Sequence, residues 1–219
     1  MAETTTPDGA HLALYEHDGS YAIRLNAETL MHSIATASEL LLGELAVARL
    51  PDPGHARVLI GGLGMGYSLK SVLAKVGRDA VVHVAELIPS IVDWNRFFLS
   101  RLNGALLDDS RVKIFVEDVR NVLARTGQDR YDALLLDIDN GPMAMVQKTN
   151  ARLYDQRGVQ KMLAALKPGG RAAIWSGARD PAFADRLSQA GFRVDVVPAK
   201  LHAKAKKHAC TIYVADAPK

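Results

Sequence analysis

Val58-Leu59-Ile60-Gly61-Gly62-Leu63-Gly64-Met65-Gly66 is the stretch that decides the fold. Three aliphatic residues in a row suit a strand covered on both faces, and the glycines that follow let the backbone turn at once into a helix starting near Ser68. Without Cβ atoms such a turn lets a ligand approach closely, with amide N–H groups facing it at the helix N-terminus. The spacing is Gly62-x-Gly64-x-Gly66, with Tyr67 where a dinucleotide fingerprint would carry its third glycine. No Lys-Ser/Thr pair directly follows the last glycine, where Tyr67-Ser68 stands instead, which excludes a nucleotide phosphate loop.

Outward from this turn the same grammar repeats. Arg57–Ile60, Ala80–Ala85, Val112–Val116, Tyr131–Leu136 and Arg171–Trp175 read as five apolar strands. Ser68–Val76, Ile88–Ser100, Val119–Arg125, Asp155–Leu166 and Pro181–Ala190 read as the helices between and after them. Strand–helix alternation predicts right-handed crossovers and a parallel sheet. Phe192–Val197 and Cys210–Ala215 have no helical stretch between them and should pair as an antiparallel hairpin. The expectation is α/β: a doubly wound, mostly parallel seven-stranded sheet. In front of it, residues 1–10 read as a loose tail. His11–Tyr15 and Tyr21–Leu25 form a short hairpin signal, and a helix capped by Ser33 or Thr36 runs to about Leu50. Pro51-Asp52-Pro53-Gly54 stops that helix and divides 1–53, the tail, hairpin and helix, from 54–219, the sheet domain.

In an open parallel sheet, ligands bind beyond the carboxyl ends of the strands. The second strand is followed by Glu86, 20 residues past Gly66, where a carboxylate can accept hydrogen bonds from both hydroxyls of a ribose. Leu87 follows it. The third strand ends in Glu117-Asp118-Val119, with Asp118 placed to accept from an exocyclic amine such as adenine N6. The fourth ends in Asp137-Ile138-Asp139-Asn140-Gly141-Pro142, near the reacting end of a nucleoside ligand. Any one of these acids reads equally well as a helix N-cap or a solvated loop charge; their joint placement behind a glycine turn is the specific signal.

The pattern resembles the S-adenosylmethionine-dependent Rossmann-type transferases, and within them the spermidine synthase-like, or polyamine aminopropyltransferase-like, group. The matching stretches are the glycine turn, Val84-Ala85-Glu86-Leu87, Val116-Glu117-Asp118-Val119, Leu134-Leu135-Leu136-Asp137 and Leu166-Lys167-Pro168-Gly169-Gly170. Leu30-Met31-His32-Ser33 through Ser38-Glu39 is similar to that group's entry into its first helix. The resemblance spans roughly residues 20–215. It implies that Gly62, Gly64, Met65 and Gly66 hold the donor's methionine part, Glu86 its ribose and Asp118 its adenine, with Asp137 at the acceptor amine.

The departures from that group point elsewhere. Met65 stands where the group has an aspartate for the donor ammonium. Ala37-Ser38-Glu39 keeps only the glutamate of a Tyr-Gln-Glu run. Asn140 takes the place of a second carboxylate, with Asp139 one residue earlier. A doubly charged amine gains most from paired acids in a desolvated site. The leading expectation is therefore a methyltransferase that uses S-adenosylmethionine on an amine or other nitrogen nucleophile. Asp137, Asp139 and Asn140 would aim the acceptor; Tyr154 could form its wall or relay a proton, although its ordinary reading is a half-buried tyrosine packing a helix start. The alternative is a polyamine aminopropyltransferase using decarboxylated S-adenosylmethionine, with Asp137 as general base. A third is a nucleoside-binding relative without catalysis.

Composition narrows the rest. The 219 residues carry 27 basic and 24 acidic side chains, a net +3, and 48% hydrophobic residues, which excludes a disordered or collagenous chain. One cysteine, Cys210, excludes an internal disulfide and a thiolate metal cluster and suits a reducing compartment. No secretory signal is visible and no apolar run approaches the ~20 residues of a membrane span, so a cytoplasmic protein without metal or membrane contact is expected. Trp175 ends the fifth strand on the ligand side, whereas Trp94 reads as core. Leu40, Leu41 and Leu42 suggest a homodimer interface. The only charge run, Lys200-Leu201-His202-Ala203-Lys204-Ala205-Lys206-Lys207-His208, reads as a solvated hairpin loop. Its functional alternatives are contact with an anionic acceptor or with an RNA backbone.

Overall fold

A computed structural model describes residues 1–26, 28–138 and 150–219. Four strands come first: β1 (Ala2–Thr5), β2 (His11–His17), β3 (Ser20–Leu25) and β4 (Glu28–His32). They form an antiparallel sheet in chain order. The expected hairpin is thus the middle of a larger unit, and the supposed tail is an edge strand, Ala2 facing Leu14 and Thr5 facing His11. Helix α1 (Ala37–Val47) follows Thr36, which occupies the N-cap position without a side-chain cap hydrogen bond.

The main sheet comprises β5 (Arg57–Gly61), β6 (Val81–Glu86), β7 (Val112–Val116), β8 (Tyr131–Leu136), β9 (Leu166–Ser176), β10 (Arg193–Ala199) and β11 (Cys210–Asp216). Their order is β10-β11-β9-β8-β5-β6-β7, so the strand order reverses between β5 and β8. The pairs among β5 to β9 are parallel, whereas β11 runs antiparallel to both β9 and β10. The helices are α2 (Tyr67–Leu73), α3 (Pro89–Phe97), α4 (Ser100–Asn103), α5 (Val119–Ala124), α6 (Ala151–Tyr154), α7 (Gln156–Ala165) and α8 (Pro181–Gln189). Strand β9 begins five residues earlier than its apolar run, because Leu166 already pairs with Tyr131.

Continuous apolar strands work here because successive residues feed opposite layers. Val58 and Ile60 join Val82, Val84 and Leu135 in one core, against α1, α2 and the first sheet. Leu59 joins Leu134, Leu136 and Ile174 in the other, against α5, α7 and α8. Leu42 is fully buried, and Leu40 and Leu41 are partly buried against the first core, so all three contribute to the fold. Trp94 is core as well. Among the described residues, no helix is long and apolar enough to cross a membrane.

Helix α1 lies close on α2 at Gly43, where a Cβ would come within 2.6 Å of the Ser71 Cβ. Ser71 Oγ donates to the Leu40 carbonyl at 2.7 Å and Ser68 Oγ lies 3.4 Å from that of Glu39. These small residues, three apart on one face of α2, fix where the start of α1 sits over the strand ends.

Candidate functional site

A cavity of about 510 Å³ opens over the carboxyl ends of β5, β6, β7, β8 and β9, roofed by the first sheet and the start of α1. Gly62 and Gly64 line it, and both need to be glycine. Gly62 has φ +90°, and a Cβ there would lie 2.3 Å from the Asp137 carbonyl oxygen; Gly64 has φ +51°, and its Cβ would meet the Met31 thioether at 2.6–2.7 Å. The turn does not present a row of free amides, however. Gly62 N–H donates to Ala85 O at 2.9 Å, Gly66 N–H to Leu63 O at 2.8 Å and Leu63 N–H to Glu86 Oε2 at 2.9 Å. Asn95 and Asn103 donate to the carbonyls of Gly64 and Met65. The turn is a held cradle whose space comes from missing side chains.

Two residues of this motif turn away from the cavity. Met65 is only 1% exposed and belongs to the core, so it does not occupy the ligand-facing place assigned to it. Gly66, with φ +84°, caps α2 and packs beside Leu106 and Asn95. The thioether facing the cradle is that of Met31, from β4.

Toward β6 and β7 the wall carries Glu86, Leu87, Glu117, Asp118 and Val119. Glu86 is buried, its two oxygens accepting from Leu63 N–H and Ile88 N–H at 2.9 Å each. Burial pushes its carboxyl above the usual range against the pull of those amides. Asp118 caps α5, accepting from Arg120 N–H at 2.8 Å and holding the Arg120 guanidinium. Burial raises this carboxyl, but the Arg120 hydrogen bonds outweigh burial and hold it low. Glu117 pairs with Arg125 at 2.5 Å. The ordinary N-cap reading of Asp118 is thus realised, and Glu117 is committed to an ion pair.

Toward α1 and β9 the wall is different. Asp137, at the end of β8, and Glu39, in the first turn of α1, both line the cavity with Trp175, Leu201 and Ala209. Ser68 Oγ donates to Asp137 Oδ2 at 3.1 Å and Ser38 Oγ to Glu39 Oε2 at 2.6 Å. Neither carboxylate has a cationic partner among the described residues. Burial first, and then the Glu39 charge, push the Asp137 carboxyl up to about 7, against the Ser68 hydrogen bond. Burial likewise raises Glu39. Cys210 is a buried core thiol beside Ser38 and Trp175, pushed upward by burial.

Tyr154 is not part of this wall. It is 2% exposed, packs edge-on against Phe183 at 5.6 Å and directs its hydroxyl to the Ile138 carbonyl at 3.5 Å. Its neighbours Asn150 and Leu153 reach the cavity instead. Asp139 and Asn140 lie outside the described residues. Sequence reasoning quoted Glu39 but gave it no place in the site, and missed Ser68, Asn95 and Asn103. The available signals were the match of Glu39 to the group's first-helix run and the Ser68-x-x-Ser71 spacing facing Gly43.

Comparison with known proteins agrees with this geometry. The family described as the spermine/spermidine synthase domain matches residues 39–184. A polyamine aminopropyltransferase of Corynebacterium efficiens is 32% identical over 130 residues, covering 58% of this chain and 24% of the relative. One from Mycobacterium tuberculosis is 27% identical over 144 residues, covering 65% and 27%. The matched stretch is therefore about a quarter of the length of these curated relatives. The crystal structure of spermidine synthase from Thermotoga maritima superposes with TM-score 0.75 at 16% identity, covering 99% of this chain and 71% of that one. A spermidine synthase in complex with the transition-state analogue AdoDATO gives 0.73 at 18% identity, with the same coverage. At such identity the structures speak for the fold alone. The family match extends over about two thirds of the residues and takes in every strand end from β5 to β9, and by it the chain belongs to the spermine/spermidine synthase domain family.

Proposed function

We propose that this protein transfers an aminopropyl group from decarboxylated S-adenosylmethionine to an amine. The observation that carries the reading is the charge of the cavity. Among the described residues that line it are five carboxylates, Glu39, Glu86, Glu117, Asp118 and Asp137, and one permanent cation, Arg120, already held by Asp118. A donor that keeps its carboxylate brings a further negative charge into this field, whereas the decarboxylated donor brings only positive charge. The methyltransferase expectation rested on lost carboxylates. The residue blamed for the loss, Met65, does not face the cavity, and Glu39 supplies an acid opposite Asp137. The relatives named above are aminopropyltransferases rather than methyltransferases.

The residues fit such a donor. Gly62 and Gly64 leave the room that a Cβ would fill, Glu86 and Leu87 would hold its ribose, and Val119 and Asp118 would border its adenine. Asp118 would act there with Arg120 still attached, so its own contribution is shape and capping more than a free acceptor. When bound, the donor supplies an electrophilic carbon on a sulfonium sulfur. Asp137 takes the proton from the acceptor ammonium at its carboxylate, with Ser68 fixing the orientation of Oδ2. Glu39 keeps the Asp137 carboxyl poised near neutrality and adds attraction for a cationic acceptor. Ile88 and Ile91 beside Glu86, and Leu153, add apolar wall to the cavity and would limit the water around a bound donor.

Equilibrium binding of the two donors tests the reading. The decarboxylated form is expected to bind at least about tenfold more tightly, a difference of about 1.4 kcal/mol, and the product to be an aminopropylated amine. Tighter binding of S-adenosylmethionine, with a methylated product, would overturn it.

A further inference from the structure

The glycine turn is covered by a side chain of the first sheet. Met31, on β4, lies across Gly64: a Cβ on that glycine would meet the Met31 Cε at 2.6 Å and its Sδ at 2.7 Å. Both residues line the cavity, so the space over Gly64 is already occupied by a thioether. The contact is held from both sides. Below it, the Gly64 carbonyl accepts from Asn95 Nδ2 at 2.8 Å and the Met65 carbonyl from Asn103 Nδ2 at 2.5 Å. Above it, Met31 is paired with Ile23 of β3. Two residues on, Ser33 N–H donates to the Tyr21 carbonyl at 2.8 Å and Ser33 Oγ accepts from Tyr21 N–H at 2.9 Å. The Ile34 carbonyl lies 2.9 Å from His202 Nδ1, in the loop between β10 and β11. The Ser33 carbonyl accepts from the Tyr67 hydroxyl at 3.1 Å, and Tyr67 opens α2 straight after Gly66. The residue that stands in place of a third glycine thus ties the first sheet down onto the turn.

On the function proposed above, this turn receives the methionine-derived chain of the donor. An intact donor carries a carboxylate on that chain. Over the turn it would find the N–H groups of Gly62, Leu63 and Gly66 already committed, and beside them the Glu86 carboxylate that holds the Leu63 amide. Facing it would be the apolar end of Met31. A carboxylate taken from water into such surroundings loses its hydrogen bonds without replacement. Wedging it under Met31 would also overpack a contact that is fixed on both sides. A chain with a methylene at that place meets neither cost. We propose that Met31 is a donor-specificity residue: it closes the space over Gly64 to a carboxylate and admits the decarboxylated chain. The inference rests on the donor reading above and deepens it, assigning part of the selectivity to one uncharged side chain rather than to the charge of the cavity.

The test measures equilibrium binding of S-adenosylmethionine and of its decarboxylated form to the whole chain and to Met31→Ala and Met31→Leu, at low and at high salt. Met31→Ala is expected to bind S-adenosylmethionine at least about tenfold more tightly than the wild type does, and to change its affinity for the decarboxylated form by less than about threefold. Met31→Leu keeps an apolar side chain of similar volume and should keep the wild-type selectivity. The gain in Met31→Ala should persist at high salt, because it does not arise from charge. Two affinities that fall together in Met31→Ala, or that both stay unchanged, are the result of a merely structural role and overturn the inference. So does a gain that vanishes at high salt, or a loss of selectivity in Met31→Leu. Should Met31→Ala fail to fold, Met31→Val, which shortens the side chain and suits a strand, is read in the same way. A wild-type protein that itself binds S-adenosylmethionine more tightly strikes the donor reading, a result separate from any change between wild type and variant.

Discussion

The two ends of the cavity are both lined with carboxylates, yet in opposite states. At the β6–β7 end Glu86, Asp118 and Glu117 are each committed: to backbone amides, to a guanidinium with an N-cap amide, and to an arginine. At the α1–β9 end Glu39 and Asp137 have serine hydroxyls but no cation among the described residues. On the proposed function the committed acids would build the walls around the donor's nucleoside, and the uncommitted ones carry a charge left for a ligand to neutralise. A count of acids at strand ends does not separate these roles; their partners do.

The sharpest way to break the comparison is Asp137→Asn. Turnover should fall by roughly 10²–10⁴-fold, while the folded protein gains stability. The sign follows from linkage: a carboxyl raised from 3.8 to about 7 in the fold destabilises the native state progressively as pH rises through that window. The amide should therefore add on the order of 1–3 kcal/mol at neutral pH and nothing at pH 3, measured by denaturant titration. A loss of stability at neutral pH would mean that Asp137 is already compensated. In the wild-type protein the acid limb of the rate profile should fall near pH 7.

Gly62 lies where the two ends meet, under the Asp137 carbonyl. Gly62→Ala should cost roughly 2–4 kcal/mol, from positive φ and the close backbone contact together, and should abolish donor binding measured by calorimetry. Glu39→Gln is a smaller perturbation. Removing the like charge should move the acid limb to lower pH and raise KM for a cationic acceptor roughly tenfold, leaving donor affinity unchanged. A KM effect without the pH shift would place Glu39 away from Asp137. Glu117→Gln should be smallest, changing donor affinity less than about threefold, because its charge is already neutralised by Arg125 in a pair that solvent reaches.

Strands β5 to β8 were legible because burial on both faces leaves an unbroken apolar run, and β7 and β8 match their expected bounds. Strands β1 and β4 were not, since Ala-Glu-Thr-Thr and Glu-Thr-Leu-Met-His are short edges with exposed side chains and little alternation. The placement of Glu86, Asp118 and Asp137 at strand ends was read correctly from position. Their states depend on neighbours: Arg120, two residues away, was within reach of sequence reasoning, whereas the Glu39–Asp137 pairing needs α1 to be folded across α2. Met65 shows the reverse error: it follows a legible landmark, but its side chain belongs to the core, whereas Tyr154 takes its ordinary place packed against Phe183.

The tie between His202 and Ile34 spans 168 residues of sequence. The cradle and the nucleoside wall can assemble from contacts within β5, β6 and β7, but the acceptor end exists only after the β10–β11 hairpin has docked against the segment leading into α1. Such non-local closure is slow relative to the formation of local structure. The two ends of the cavity thus differ in the span of chain they need: the β6–β7 wall is built from neighbouring strands, whereas the α1–β9 wall requires the two ends of the sequence to meet.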